Sequence, residues 1–189
     1  DGCAFDAMEI KHKECFIPNI VNSYDLAAIS KYVREAAEFV NLYSHWRGIN
    51  RFPALAMTFD LLLNRPEVSA RRFKLPAVKG VRDWIKRETK LSNPTLKAEV
   101  AKSSDPDLAL ALEWSEAVNR TVGEMVHDVP PFPYVRESLE CLAGKADVMV
   151  ISATPVEALE REWKENRIAE LVSLIAGQEH GSKKEHLAL

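Results

Sequence analysis

One serine and two lysines, each following a short apolar run, are the residues of this chain best placed for phosphate chemistry. Ser152 follows the apolar run Val148–Ile151. Lys183 and Lys184 come shortly after a second apolar run, Leu174–Ala176. A hydroxyl donates to a phosphoryl oxygen, and an ammonium group neutralises its charge. Two lysines in a first helical turn otherwise cost about 0.3–1 kcal/mol each against the helix dipole. The pair therefore fits an anion site, and it equally fits a solvated surface.

The residues before and after this serine predict a buried strand, a tight turn and a helix. Val148–Ile151 is continuously apolar, a pattern typical of a strand buried on both faces of a parallel sheet. Thr154 can cap a helix, Pro155 suits its first position, and Glu157 has capping-box spacing. The turn would lie at the carboxyl end of the strand, where open α/β folds bind ligands.

The other elements follow from similar signals. Leu174–Ala176 predicts a second short strand, and Ser182 and Glu185 have the capping-box spacing of a following helix. Residues 24–126 predict helices and no strand, because their apolar residues recur at three- and four-residue steps. Among the expected helices are one long amphipathic helix from Leu26 to Tyr43, one capped by Asn93 with Pro94 at its first position, and one opened by Asp105-Pro106.

Three short motifs, taken in order, resemble the haloacid dehalogenase (HAD) superfamily, many of whose members are magnesium-dependent phosphatases. Asp1-Gly2 would match the second half of the family's Asp-x-Asp-Gly motif, and Ser152 its second-motif Ser/Thr. Lys183 or Lys184 would match the third-motif lysine, and Lys183 is favoured because it directly follows Gly-Ser. The chain is expected to be cut inside the first motif and before the acidic fourth motif, which would lie beyond Leu189.

The resemblance implies an α/β fold in which a Rossmann-like parallel sheet core carries an inserted all-helical cap domain. Residues 1–20 and 127–189 would form the discontinuous, incomplete core. Residues 21–126 would form the cap, and such a lid excludes water and selects the substrate.

The resemblance also implies the chemistry of the site. An aspartate expected to lie before Asp1 would attack phosphorus and form an aspartyl-phosphate. Asp1 would act as general acid and then as general base, and its backbone carbonyl would bind Mg²⁺. Ser152, the backbone N–H of Ala153 and either Lys183 or Lys184 would hold the phosphoryl oxygens.

Three charged or polar residues of the expected cap could contact the anionic substrate. They are His45, Arg47 and Arg51, all within the segment YSHWRGINR. Charged side chains at helix ends are usually solvated, so ordinary surface positions are the alternative for all three.

The function expected from the resemblance is magnesium-dependent hydrolysis of a small phosphorylated metabolite. Another HAD-type reaction, such as that of a phosphomutase or a dehalogenase, is one alternative. A non-catalytic HAD-like binding or regulatory domain is another. Acidic residues before Asp1 and after Leu189 would favour the enzyme, whereas Asn, Ser or Ala at the nucleophile position would favour the binding domain.

Composition excludes several classes of protein. The 189 residues are 47% hydrophobic and 28% charged, with a net charge of −3, so no nucleic-acid partner is expected. No apolar run approaches the roughly 18 residues of a membrane span, so no membrane partner is expected. The chain has three cysteines, an odd number, and they lack the spacing of metal ligands. This pattern favours reduced thiols and a cytoplasmic location.

Overall fold

Helices dominate the computed structural model, which describes residues 2–152, 154–181 and 183–186. The α-helices are α1 (Ala7–Ile10), α2 (Ile17–Ser23), α3 (Ser30–Glu38), α4 (Arg51–Leu63), α5 (Pro66–Ala70), α6 (Lys79–Arg87), α7 (Asn93–Ser103), α8 (Pro106–Met125), α9 (Val135–Leu142), α10 (Val156–Glu165) and α11 (Lys183–His186). The strands are β1 (Met149–Ile151) and β2 (Leu174–Ala176). The π-helical segments are π1 (Lys11–Phe16) and π2 (Phe39–Tyr43), and the 3₁₀ turns are Ala27–Ile29, Ala169–Leu171 and Gln178–His180. None of the helices in the described ranges is both long enough and apolar enough to cross a bilayer.

The chain forms two units, each with its own core. Asp1–Glu9 and Val126–Leu189 make up the first, here called the mixed unit because it contains β1 and β2. Ile10–Met125 makes up the second, here called the helical unit. The divisions expected from the sequence lie after residues 20 and 126.

The two strands of the mixed unit pair in parallel, as expected for neighbouring strand–turn–helix segments. Met149 lies opposite Leu174, and Ile151 lies opposite Ala176. The ladder continues one residue further, because the Ser152 N–H donates to the Ala176 carbonyl at 3.0 Å. This bond fixes the serine at the carboxyl end of β1.

The prediction of a Rossmann-like parallel sheet core is wrong. The described residues form one sheet of two strands, three residues each, besides a single antiparallel bridge between Phe5 and Pro131. The expected burial of the first strand on both faces also fails, since Met149 is 43% exposed and Val150 and Ile151 are only partly buried. An apolar run predicts a strand but not the number of its neighbours, and most other apolar residues here lie in helices. The protein is mostly helical.

The core of the mixed unit is built around two aromatic rings. Phe5 and Trp163 meet edge to face, with ring centroids 5.8 Å apart and an interplanar angle of 80°. Leu139 of α9 and Ile168 are buried in the same cluster. The helix α10 therefore carries Trp163 into the core while its first turn follows the end of β1.

Three aromatic rings stand at the centre of the larger core of the helical unit. Phe52 of α4 lies edge-on to Trp84 of α6 at 5.1 Å and to Trp114 of α8 at 6.2 Å. All three side chains are fully buried. Trp84 and Trp114 thus fill the core of the helical unit, whereas Trp46 is only half-buried.

Candidate functional site

The turns that follow β1 and β2 touch each other closely at Gly177. A Cβ atom added there would lie 2.5 Å from the Val156 nitrogen and 2.8 Å from the Thr154 carbonyl oxygen. No real Cβ atom tolerates such distances, and both neighbours are backbone atoms. Glycine, which has no side chain, therefore allows the two turns to approach each other closely at the carboxyl ends of the strands.

The first turn of α10 is capped differently from the prediction. Helix α10 begins at Val156, and Pro155 occupies the N-cap position without a side-chain capping bond. The Glu179 carboxylate, from the turn after β2, accepts from the Val156 N–H at 2.9 Å. The predictions that Thr154 would be the N-cap and that Pro155 would occupy the first helical position were therefore wrong. The Val156 amide, at the start of α10, thus already has a carboxylate partner.

The expected phosphate-binding serine lies in a turn of its own. The Ser152 hydroxyl oxygen accepts from the Thr154 N–H at 3.1 Å, and the side chain is half-buried. Its O–H proton is not used by that bond, so the hydroxyl can still donate to an oxyanion. The nearby amide of Ala153 lies outside the described residues.

The remaining expected catalytic residues are only partly described. Lys184 lies in α11, in the segment after β2, and its side chain is exposed. Lys183 opens α11, but its side chain falls outside the described part of the chain. Asp1, the expected acid, base and metal ligand, also lies outside the described residues.

The three expected substrate contacts of the helical unit have different surroundings. His45 is exposed and its ring rests on Trp46, with centroids 4.2 Å apart. Arg47 is exposed and its Nη1 donates to the Leu42 carbonyl at 3.3 Å. Arg51 opens α4 and reaches into a polar cluster. Of the three, only Arg51 is held by several side chains at once.

Polar partners on α8 hold the Arg51 guanidinium by one nitrogen. Its Nη1 donates to the Ser115 hydroxyl at 2.9 Å, the Ser115 carbonyl at 3.1 Å and the Asn119 amide oxygen at 2.8 Å. The Phe16 ring covers the group, 4.9 Å from Cζ to the ring centroid. Burial lowers the pKa of Arg51 to about 10, so it stays charged at neutral pH.

His12 belongs to the same cluster, although nothing in the sequence predicted it as a site residue. It lies in π1, and its ring centroid is 4.6 Å from that of Phe16. Its Nδ1 atom is buried without a hydrogen-bond partner in the described part of the chain. Burial, followed by the charges of Arg51, Arg47 and Lys11, lowers the pKa of His12 to about 4. The four-residue spacing from His12 to Phe16 placed both on one helical face, but nothing local indicated Arg51 as a neighbour.

The described side chains do not include a group of ligands for the expected Mg²⁺ ion. Within the described ranges, no three His, Cys, Asp or Glu side chains lie close enough together to hold a metal ion. This finding does not test the expected Mg²⁺ site, and no chemical step is assigned to the ion. The one residue expected to contribute, Asp1, lies outside those ranges.

No protein-family model matches this chain, and neither a curated protein nor a solved structure matches it. Any functional assignment therefore rests on the residues and their geometry.

Proposed function

We propose that the protein hydrolyses small phosphorylated metabolites, with the phosphoryl group bound in the mixed unit at the carboxyl ends of β1 and β2. The observation that supports this most directly is the contact between the two turns at Gly177. It brings the Ser152 turn beside the segment that leads into α11 and its lysines. Parallel strands that end side by side are a common place for ligand-binding loops.

Several side chains of the site would bind the phosphoryl group together. The Ser152 hydroxyl would donate to a phosphoryl oxygen while accepting from the Thr154 N–H, as it already does. Lys183 or Lys184 would supply positive charge at the transferred group. Because phosphoryl transfer depends mainly on positioning and electrostatic stabilisation, these few donors could carry much of the rate enhancement.

Asp1 would move the proton in this scheme. It would protonate the leaving oxygen as the phosphoryl group passes to the nucleophilic aspartate expected from the resemblance, and would then accept a proton from the water that hydrolyses the aspartyl-phosphate. Replacing Asp1 by Asn keeps the shape of the side chain but removes this capacity. We expect Asp1→Asn to slow turnover by about 10²–10⁴-fold.

The proposal is tested by measuring phosphate release from a panel of sugar and nucleotide monophosphates. Each assay is run with Mg²⁺ and with EDTA, because the Mg²⁺ requirement stays a prediction. Ser152→Ala should lower kcat moderately, since one donor is lost while the expected Ala153 N–H and the lysine remain. Ser173→Ala is the matched control. Ser173 precedes β2, and its hydroxyl bonds only to Asp147 at 3.3 Å among the described residues.

The two lysines serve as controls for each other. The replacement that lowers kcat strongly identifies the residue bound to the phosphoryl group, and the other replacement should have little effect. If Ser152, Lys183 and Lys184 can all be replaced without loss of turnover, the site is placed wrongly. Substrate binding without phosphate release would instead favour a phosphate-binding domain, and halide release from haloacids would favour a dehalogenase.

A further inference from the structure

We propose that the helical unit carries a separate oxyanion-binding site, in which the free edge of the Arg51 guanidinium binds a small carboxylate or phosphate group. The proposal concerns Ile10–Met125 alone. It stands whether or not the mixed unit hydrolyses phosphate esters.

The first support is how the donors of Arg51 are used. All three of its protein acceptors, on Ser115 and Asn119, bind Nη1. Within the described residues, Nε and Nη2 have no hydrogen-bond partner. These two nitrogens form the edge of the guanidinium that binds carboxylate or phosphate through two parallel hydrogen bonds. The group is thus fixed on one side and, among the described residues, lacks an acceptor on the side that recognises oxyanions.

The second support is the missing countercharge. Arg51 makes no ion pair with a carboxylate of the described residues, and burial alone accounts for its lowered pKa. Arg82, in the same unit, differs, because its Nη2 lies 2.9 Å from an Asp60 carboxylate oxygen. A partly buried cation without an anion is costly, because the protein replaces only part of its hydration. A bound oxyanion would remove that cost.

The third support is the surrounding charge. Arg47 and Lys11 both act on His12, which lies against the same Phe16 ring as Arg51. Every charged group that shifts the pKa of His12 is positive. The buried imidazole, whose pKa is lowered to about 4, is therefore neutral at pH 7 and adds no charge of its own to these cations.

The fourth support is the local backbone. His12 and Phe16 lie in π1, and Lys13 of π1 has its ammonium group 5.8 Å from the ring centroid of Tyr43, in π2. Short π-helical segments are rare and are found frequently at functional sites. Solvent reaches the cluster because Asn119 and Arg47 are exposed. A small ligand can therefore approach from water.

The test is an NMR titration of the whole protein at constant ionic strength, with inorganic phosphate and acetate as separate probes. The Arg51 Nε–H signal should shift and saturate with at least one probe, and the tighter probe assigns the ligand class. The His12 pKa should rise when the probe is bound, because an anion offsets the nearby positive charges. Both signals come from the unaltered protein, so the result does not depend on the folding of a variant.

Variants then locate the site. Arg51→Lys keeps the positive charge but loses the edge that donates two parallel hydrogen bonds, and it should weaken anion binding at least about tenfold. Arg82→Lys is the matched control and should bind as the unaltered protein does. The proposal is overturned if neither probe saturates the Arg51 signal or if Arg51→Lys binds equally well. It is also overturned if Ser152→Ala, rather than Arg51→Lys, abolishes binding, since that would place the anion in the mixed unit.

Discussion

Gly177 shows how a single residue can set the spacing of a candidate site. Its φ of −93° is open to any amino acid, so backbone conformation does not require glycine there. The requirement comes from the 2.5 Å that would separate a Cβ from the Val156 nitrogen. A side chain at this position must push apart the turn that carries Ser152 and the turn that leads to α11.

Gly177→Ala should accordingly destabilise the protein by about 1–3 kcal/mol, the usual cost of overpacking. Denaturant unfolding measures the change. Gly123→Ala is the matched control, because a Cβ at this position in α8 meets no atom within 4 Å. That control should stabilise the protein by about 0.5–1 kcal/mol through helix propensity. Equal effects of the two substitutions would contradict the close-approach argument.

His12 should make stability depend on pH. Its folded pKa of about 4 lies below its ordinary value of 6.5, because of burial and the charges of Arg51, Arg47 and Lys11. Between these values the unfolded chain binds a proton that the folded chain does not. Stability should therefore fall as pH drops from about 6.5 to about 4, by roughly 2–3 kcal/mol at most.

Comparison of the unaltered protein with His12→Asn isolates this contribution from those of other titrating groups. Unfolding free energies are measured from pH 7.5 to pH 4. The difference between the two proteins should be constant above about pH 7 and should shrink as pH falls. A difference independent of pH would show that His12 titrates as it does in the unfolded chain.

Several elements were predictable because their signals are local. Asp105-Pro106 opened α8 as expected, and the Asp105 carboxylate accepts from the Asp107 N–H at 2.8 Å. The parallel pairing of β1 and β2 was also confirmed. Capping residues and apolar runs act over a few residues, so a sequence displays them directly.

Other elements could not be predicted from local signals. The expected single helix from Leu26 to Tyr43 is divided into a 3₁₀ turn, α3 and π2, because all three use nearly the same apolar spacing. Asn93 was expected to cap α7, but Ser92 does so through a capping box with Thr95. The number of strands depends on pairings far apart in the chain, which explains the wrong sheet core. The Arg51 cluster joins positions 64 and 68 residues apart, and no local pattern indicates such contacts.

The Asp105 cap at the start of α8 leads to a prediction about the stability of this helix. Asp105→Ala should cost about 0.5–2 kcal/mol, because the Asp107 amide loses its acceptor. Asp105→Asn keeps an oxygen in place and should cost less. Thermal unfolding of the two variants compares them, and equal losses would assign the effect to charge rather than to capping.

At the scale of the whole molecule, the helical unit is one continuous stretch of chain with its own buried core. A protein consisting of residues 10–125 alone should therefore unfold cooperatively on heating, as followed by circular dichroism. Phe59→Ala in that fragment should lower its stability by about 3–5 kcal/mol, since Phe59 is fully buried. A broad transition that Phe59→Ala leaves unchanged would show that the unit needs the rest of the chain.

The distribution of tryptophans gives each unit a separate optical signal. Trp163 is the one tryptophan of the mixed unit, whereas Trp46, Trp84 and Trp114 belong to the helical unit. In Trp163→Phe, tryptophan fluorescence would come from the helical unit alone, whereas circular dichroism follows the helices of both units. Overlaid melting curves of this variant from the two signals would then reveal whether the units lose their structure together or one after the other.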